Sequence, residues 1–142
     1  MSTTATGSCL CGAVAYEVSQ PIQDVIACHC TDCQKATGSG ASHNLVVKTE
    51  NLRVTRGEPR AFDKTVDSGR ILTRFFCADC GSPLFARRNT SPEITVIKAG
   101  TLDDRSALRH AMDIWTASAV AYMPRNTDVP QHEGNRPVPK AT

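Results

Sequence analysis

Cys77-Ala78-Asp79-Cys80-Gly81, a Cys-x-x-Cys-Gly motif directly after a predicted strand, has the form of a zinc knuckle. A second pair, Cys9-Leu10-Cys11, precedes Gly12 near the start of the chain. In extended backbone, side chains two residues apart point to the same side, so both sulfurs could reach one ion. Two pairs supply four thiolates, the ligand set of a closed tetrahedral zinc site. Such an ion would tie the N-terminal segment to the middle of the chain and contribute to folding.

The seven cysteines of the chain are expected to be metal ligands or redox centres. An odd number cannot pair completely within one chain. No signal peptide is visible, which favours the cytoplasm, a reducing compartment where structural disulfides are rare. A redox-active Cys-x-x-Cys is the alternative interpretation of Cys77 and Cys80. Such pairs usually accompany a βαβ pattern, which the surrounding sequence lacks.

A third cluster, Cys28-His29-Cys30-Thr31-Asp32-Cys33, offers three sulfurs to one centre. Three protein ligands with a fourth position left open are the usual arrangement of a catalytic zinc. A short helix is predicted from Asp32 to Thr37, with Thr31 as its N-cap and Gly38 ending it in the left-handed conformation. Its first amides would favour the thiolate forms. The sequence therefore predicts one closed site and one open site.

His29 leaves a second interpretation of this cluster open. As a fourth ligand it would give a closed site of three cysteines and one histidine. In an extended segment, however, its side chain points away from those of Cys28 and Cys30, so we expect a packed or hydrogen-bonded histidine on the surface. The other histidines, His43, His110 and His132, are isolated in the sequence and are expected to be ordinary surface or core residues.

Length and composition are those of an ordinary globular protein. The chain has 142 residues, of which 40% are hydrophobic and 21% charged, enough for one domain with a core. The longest unbroken apolar run, Ala119–Met123, is far shorter than the about 20 residues of a membrane helix, so no membrane association is expected. The formal charge of +2 becomes slightly negative if all cysteines are thiolates on two zinc ions, which gives a polyanionic partner no support.

The hydrophobic pattern predicts a mainly β protein with one or two short helices. Val14, Tyr16 and Val18 alternate along a predicted strand. The predicted strands are Ala13–Val18, Val25–Cys28, Leu45–Lys48, Leu52–Thr55, Ile71–Phe76 and Glu93–Lys98. Frequent Gly and Pro breaks between them favour antiparallel sheets. A second helical turn is predicted at Ser106–Ala111, and residues 126–142 are predicted to form an extended or loose tail.

Three segments together resemble the glutathione-dependent formaldehyde-activating enzyme family, also called the centromere protein V family. They are Ser8–Glu17, Cys28–Lys35 and Phe76–Phe85, and Gly100–Asp104 is similar to the stretch after the family's late strand. The resemblance implies an Mss4-like fold of antiparallel β-sheets around zinc. It also implies one zinc-binding domain over residues 7–133, with loose termini at 1–6 and 134–142.

The same resemblance implies two zinc ions per chain. Cys9, Cys11, Cys77 and Cys80 would hold the structural ion, and Cys28, Cys30 and Cys33 the second, catalytic ion. The implied activity is that of a carbon–sulfur lyase that forms or cleaves S-hydroxymethylglutathione, or acts on a related small-thiol adduct. In that reaction the open site would hold the thiol sulfur as a thiolate for attack on formaldehyde. Proximity suggests His29, Thr31 and Asp32 as proton donors, and Lys35, Arg74, Arg87 and Arg88 as partners for the carboxylates of glutathione.

Two other functions compete with this one. Thiols add to formaldehyde readily without a catalyst, so a non-catalytic zinc module that binds glutathione or docks on a protein partner would keep the same cysteines. A zinc-ribbon nucleic-acid binder is the third possibility. In this chain, however, the arginines are dispersed along the sequence. The aromatic residues Tyr16, Trp115 and Tyr122 are scattered as well, so no nucleic-acid partner is expected.

Overall fold

The computed structural model describes residues 4–66 and 69–136. In these ranges the chain is mainly β, as predicted, and consistent with the Mss4-like expectation. The strands are β1 (Ala5–Ser8), β2 (Ala15–Val18), β3 (Asp24–Cys28), β4 (Ser42–Lys48), β5 (Leu52–Arg56), β6 (Arg60–Thr65), β7 (Ile71–Phe76), β8 (Pro83–Arg88), β9 (Ile94–Lys98) and β10 (Arg109–Ile114). The α-helix, α1, spans Thr31–Thr37, and 3-10 helices lie at Thr49–Asn51, Ala99–Thr101 and Thr116–Ser118.

The chain forms two compact units that alternate along the sequence. The larger unit comprises Met1–Gln23 and Asn44–Leu108, and the smaller unit comprises Asp24–His43 and Arg109–Thr142. Within the described residues, no helix combines the length and the apolar character needed to cross a membrane. The assignment of residues 7–133 to a single domain stays a prediction.

The larger unit contains two antiparallel arrangements of strands. One has the order β1-β2-β5, and the other runs β4-β9-β8-β7-β6. The alternation predicted for Val14, Tyr16 and Val18 is confirmed, since all three are buried. Tyr16 meets Phe85 of β8 edge to face, with ring centroids 5.1 Å apart. The core of this unit therefore joins β2 to β8.

The smaller unit is built on a parallel pair of strands and one helix. β3 pairs with β10 so that Cys28 lies opposite Ile114 and Ala27 opposite Asp113. α1 follows directly and ends at Gly38, whose φ of 68° confirms the predicted left-handed stop. Residues 130–134 run beside the end of β10. The Asp113 amide donates to the Pro130 carbonyl at 3.0 Å, and the Trp115 amide donates to the Gly134 carbonyl at 2.8 Å.

Several local predictions are wrong, and each has a physical reason. Ser106–Ala111 is not helical, because Arg109 onward enters β10 and pairs with a strand far away in the sequence. The helix N-cap is Cys30 rather than Thr31: the Cys30 sulfur accepts the Cys33 amide.

The N-terminal end is also more ordered than predicted where it is described. β1 begins at Ala5, inside the segment expected to be loose, because it pairs with β2. Residues 130–134 are hydrogen-bonded to the end of β10 and to Trp115 after it, which fits the extended alternative predicted for residues 126–142. Residues 1–3 and 137–142 of the expected termini lie outside the described residues.

Candidate metal centres

Four sulfurs in the larger unit lie at the spacing of metal ligands. The Sγ atoms of Cys9, Cys11, Cys77 and Cys80 all lie within 4.8 Å of one another. Cys9 Sγ is 3.6 Å from Cys11 Sγ, which is 3.7 Å from Cys77 Sγ. A tetrahedron with zinc–sulfur distances of about 2.3 Å has edges of about 3.8 Å, whereas a disulfide requires about 2.05 Å. The donor set and its spacing therefore fit a tetrahedral metal ion.

Two tight loops bring these sulfurs together. The chain turns at Cys9, where the Gly12 amide donates to the Cys9 carbonyl at 3.2 Å, so the predicted extended Cys-x-Cys geometry is wrong. In the knuckle, the Gly81 amide donates to the Cys77 carbonyl at 2.8 Å. Gly12 and Gly81 have φ values of 81° and 78°, which favour glycine.

Ser82 connects the two loops. Its hydroxyl accepts the Leu10 amide at 3.0 Å and lies 3.1 Å from Cys80 Sγ. That hydroxyl, together with backbone amides, lowers the pKa of Cys80 to about 5. The Ala13 amide favours the thiolate of Cys11, but partial desolvation and the neighbouring thiols of Cys80, Cys9 and Cys77 outweigh it and raise the pKa of Cys11 to about 12. Without a cation the cluster thus resists holding all its thiolates at once, and a divalent cation would remove that resistance.

The smaller unit holds the second cluster, in which three sulfurs lie within 4.8 Å of one another. Cys28 ends β3, Cys30 caps α1 and Cys33 lies in the first turn of that helix. The Cys33 amide donates to Cys30 Sγ at 3.3 Å. In the described part of the chain, no fourth Cys, His, Asp or Glu joins this group.

Two thiols of this cluster, Cys28 and Cys30, resist ionisation. Contact with the sulfurs of Cys30 and Cys33, and then burial, raises the pKa of Cys28. The pKa of Cys30 is also raised, because Cys33 and burial outweigh the favourable contact with Cys28. Cys28 and Cys33 are only 6% and 9% exposed, whereas Cys11 of the other cluster is exposed. The two clusters therefore differ in ligand number, and the three-cysteine cluster is not the more exposed of the two.

His29 stands outside the metal-ligand group. It is 1% exposed, and its Nε2 lies 2.8 Å from Asp113 Oδ1. The prediction of a packed, hydrogen-bonded histidine is confirmed, although the residue is buried rather than on the surface. The Nε2 atom of His110 lies 3.2 Å from the same carboxylate oxygen, a contact that its isolated position in the sequence does not indicate. His43 and His132 belong to neither cluster.

Two residues near the three-cysteine cluster were missed by sequence reasoning. Asp113 is 1% exposed, and Gln131 donates from its side-chain amide to Asp113 Oδ2 at 2.6 Å. Burial opposes the charge of Asp113, but bonds from His29 and Gln131 keep its pKa lowered. His29 and Asp113 are 84 positions apart in the chain, and no motif links them.

The other candidate residues are spread over both units. Thr31 and Lys35 are exposed on α1, in the unit of the three-cysteine cluster, and Asp32 beside them is half-buried. Arg74, Arg87 and Arg88 belong to the larger unit. Arg87 donates to Thr95 Oγ1 at 2.9 Å and lies 5.3 Å from the centre of the Phe75 ring. Among the basic candidates for glutathione, only Lys35 therefore shares a unit with this cluster.

The architecture is that of a mainly β protein with two cysteine clusters, each able to hold a metal ion. The family model of the glutathione-dependent formaldehyde-activating enzyme matches residues 4–118, and the chain belongs to that family. The crystal structure of a Rhodobacter sphaeroides protein has a similar fold, with a TM-score of 0.59 and 21% sequence identity over 89% of this chain and 98% of that one.

Proposed function

We propose that the protein is a zinc-dependent carbon–sulfur lyase that forms or cleaves S-hydroxymethylglutathione or a related small-thiol adduct. The observation that carries this proposal is the unequal pair of clusters. Four thiols form one complete tetrahedral ligand set, and three thiols form another group to which no fourth protein ligand is added in the described chain. Membership of a family named for glutathione-dependent formaldehyde activation supports the choice of substrate.

In this proposal Cys28, Cys30 and Cys33 hold the catalytic zinc, and Cys9, Cys11, Cys77 and Cys80 hold the structural one. A zinc ion with three thiolate ligands leaves a position for a thiol and lowers the pKa of that thiol when bound. The amide of Cys33 supports the charge on Cys30 by its bond to Cys30 Sγ. The seven sulfurs must stay reduced for this purpose, so we place the protein in the cytoplasm.

The reaction involves no net oxidation. In the forward direction the sulfur of glutathione forms a bond to the carbon of formaldehyde, the carbonyl π bond breaks, and its electron pair goes to oxygen. The thiol proton ends on that oxygen, which gives a hydroxymethyl thioether. Holding the two reactants together supplies the rate gain, because the attack itself has a low barrier. Lys35 is the proposed contact for a glutathione carboxylate, since it is exposed on the same helix as Cys33.

Metal analysis and two matched variants test the proposal. Protein purified without chelator should hold one zinc ion for each of its two clusters. Cys33→Ser should lose one ion, remain folded and lose glutathione turnover, whereas Cys80→Ser should lose the other ion and much of its stability. Equal unfolding of both variants would show that the three-cysteine cluster is structural and would contradict the proposed chemistry.

Exchange NMR between free formaldehyde and S-hydroxymethylglutathione measures turnover directly. Wild type should raise the exchange rate above the spontaneous one, and Cys33→Ser should return it to the spontaneous value. Glutathione binding with no increase in exchange would favour the non-catalytic zinc module instead.

A further inference from the structure

The backbone between two proposed metal ligands is fixed at His29. Its amide donates to the Ile114 carbonyl at 3.0 Å. Its carbonyl accepts the side-chain amide of Gln34 at 2.8 Å. Its ring meets Asp113 at 2.8 Å. Because His29 lies between Cys28 and Cys30, whatever holds His29 also sets the positions of those two sulfurs.

Asp113 connects His29 to a segment near the C-terminus. One carboxylate oxygen takes the His29 ring, and the other accepts the Gln131 side chain at 2.6 Å. The carboxylate is almost fully buried, so loss of the Gln131 bond would remove the compensation of one charged oxygen, whereas the other oxygen also lies 3.2 Å from His110 Nε2. The side chain of Gln131 thus supplies the hydrogen bond to the second carboxylate oxygen of Asp113.

Residues 130–134 form what we call the C-terminal strap. Three backbone hydrogen bonds hold it. The Asp113 amide donates to the Pro130 carbonyl, and the His132 amide donates to the Asp113 carbonyl, both at 3.0 Å. The Trp115 amide donates to the Gly134 carbonyl at 2.8 Å. The strap lies beyond residues 4–118, the region that matches the family model. The strap therefore lies outside the matched region, although the three-cysteine cluster lies within it.

We propose that the C-terminal strap positions the three-cysteine cluster through the chain Gln131–Asp113–His29, and that Gln131 and Asp113 are positioning residues that retain metal there. The inference rests on the proposed function, since it requires a metal ion on Cys28, Cys30 and Cys33. Neither residue touches that ion. They act by fixing the backbone that carries two of its three ligands.

Zinc release to a chromogenic chelator tests the proposal. The ion on the three-cysteine cluster is identified as the release phase that Cys33→Ser lacks. Gln131→Leu keeps the side-chain volume and removes the bond to Asp113. We expect it to accelerate that phase by about tenfold, the lower end of the range for groups that support metal ligands. The phase of the four-cysteine cluster should stay unchanged.

Gln23→Leu is the matched control, because Gln23 is exposed in the larger unit. It should release both ions at wild-type rates. An unchanged rate in Gln131→Leu, or equal acceleration of both phases, would overturn the inference while leaving the proposed function intact. Retention of both ions by Cys33→Ser would instead contradict the proposed function, and this is seen before any strap variant is made.

Hydrogen exchange gives a second readout that needs no change in the strap. Coupling between two sites is reciprocal, so loss of metal should loosen the strap. The amides of Trp115 and His132, which bond across the strap, should exchange faster in Cys33→Ser than in the zinc-loaded wild type. Identical exchange of these amides would contradict the coupling, even if Gln131→Leu failed to fold.

Discussion

Tyr16 shows how one side chain organises the core of the larger unit. It is 1% exposed, its ring packs on Phe85, and its hydroxyl lies 2.6 Å from Thr101 Oγ1. Gly7 lies opposite in β1, where a Cβ atom would come within 2.3 Å of the Tyr16 ring. Glycine at position 7 therefore makes room for the tyrosine.

Tyr16→Phe should destabilise the protein by about 1 kcal/mol at neutral pH, because the hydrogen bond between the Tyr16 hydroxyl and Thr101 is lost. Burial raises the pKa of Tyr16 from 10.0 to about 12, so the folded protein retains a proton that the unfolded chain loses. The stabilisation of the folded protein by the Tyr16 hydroxyl is therefore complete below pH 10. It declines as the pH rises from 10 towards 12. Urea unfolding at a series of alkaline pH values measures the difference between the two proteins.

Tyr122→Phe is the control, since Tyr122 is 72% exposed whereas Tyr16 is buried. It should match wild-type stability at neutral pH. A difference between wild type and Tyr16→Phe that did not shrink with rising pH would contradict the assignment.

At the scale of single residues, sequence reasoning found the ligands and missed their supports. The spacing of the cysteines is local, and it identified all the sulfurs that converge. Cys30 as a helix cap was missed because oxygen side chains are the usual caps, whereas here a sulfur accepts the amide. Asp113 and Gln131 were missed because only the pairing of β3 with β10 brings Asp113 beside the cluster.

Helix α1 depends on its ends. With seven residues it is too short to be stable alone. Its start is fixed by the Cys30 sulfur, and its end by the Gly38 amide, which donates to the Gln34 carbonyl at 2.8 Å. The helix that carries Cys33 is therefore stabilised by its two caps and by the packing of its buried side.

Gly38→Ala should destabilise the protein by about 1–2 kcal/mol, the cost of a left-handed backbone for a residue with a side chain. A Cβ atom at position 38 would meet no atom within 4 Å, so the cost is conformational. Gly100→Ala is a matched control, because it has equally open surroundings without a positive φ. Thermal unfolding should show a loss for Gly38→Ala alone, and similar losses in both variants would contradict this account.

Of the ten strands in the described residues, six were predicted and four, β1, β6, β8 and β10, were missed. Ile71–Phe76 was predicted with the observed bounds, and β9 was predicted to start one residue early, at Glu93, from its alternating residues. β6 was missed because all its residues are exposed and its sequence, RAFDKT, carries charges. β10 was taken for a helical turn, since a parallel partner distant in sequence leaves no local signal.

For the whole molecule, metal binding at the four-cysteine cluster should be part of the folding free energy. Cys11 and Cys77 are 66 positions apart, and closing a loop of that length costs entropy that ligand bonds offset. Removing metal with a chelator should lower stability by several kcal/mol, below the about 10–16 kcal/mol measured for zinc-finger peptides. Calorimetry with and without zinc measures this loss.

Cys80→Ser should reproduce most of that loss, and Cys33→Ser only a small part. If the chelator left the unfolding temperature of wild type unchanged, the four-cysteine cluster would have no structural role. The cysteine pattern supported both clusters from the sequence alone. The division into two compact units was not predicted, because it depends on which distant strands pair.

The alternation of the two clusters along the chain has a consequence during synthesis on the ribosome. Cys28, Cys30 and Cys33 emerge together, whereas Cys9 and Cys11 wait for Cys77 and Cys80. Throughout that interval the nascent polypeptide exposes five thiols, and a zinc ion can be captured by a mixed set of them. An ion captured in that way must exchange between thiols after translation has passed Cys80 before the native clusters can form, and the yield of native protein should depend on how freely the cell supplies zinc.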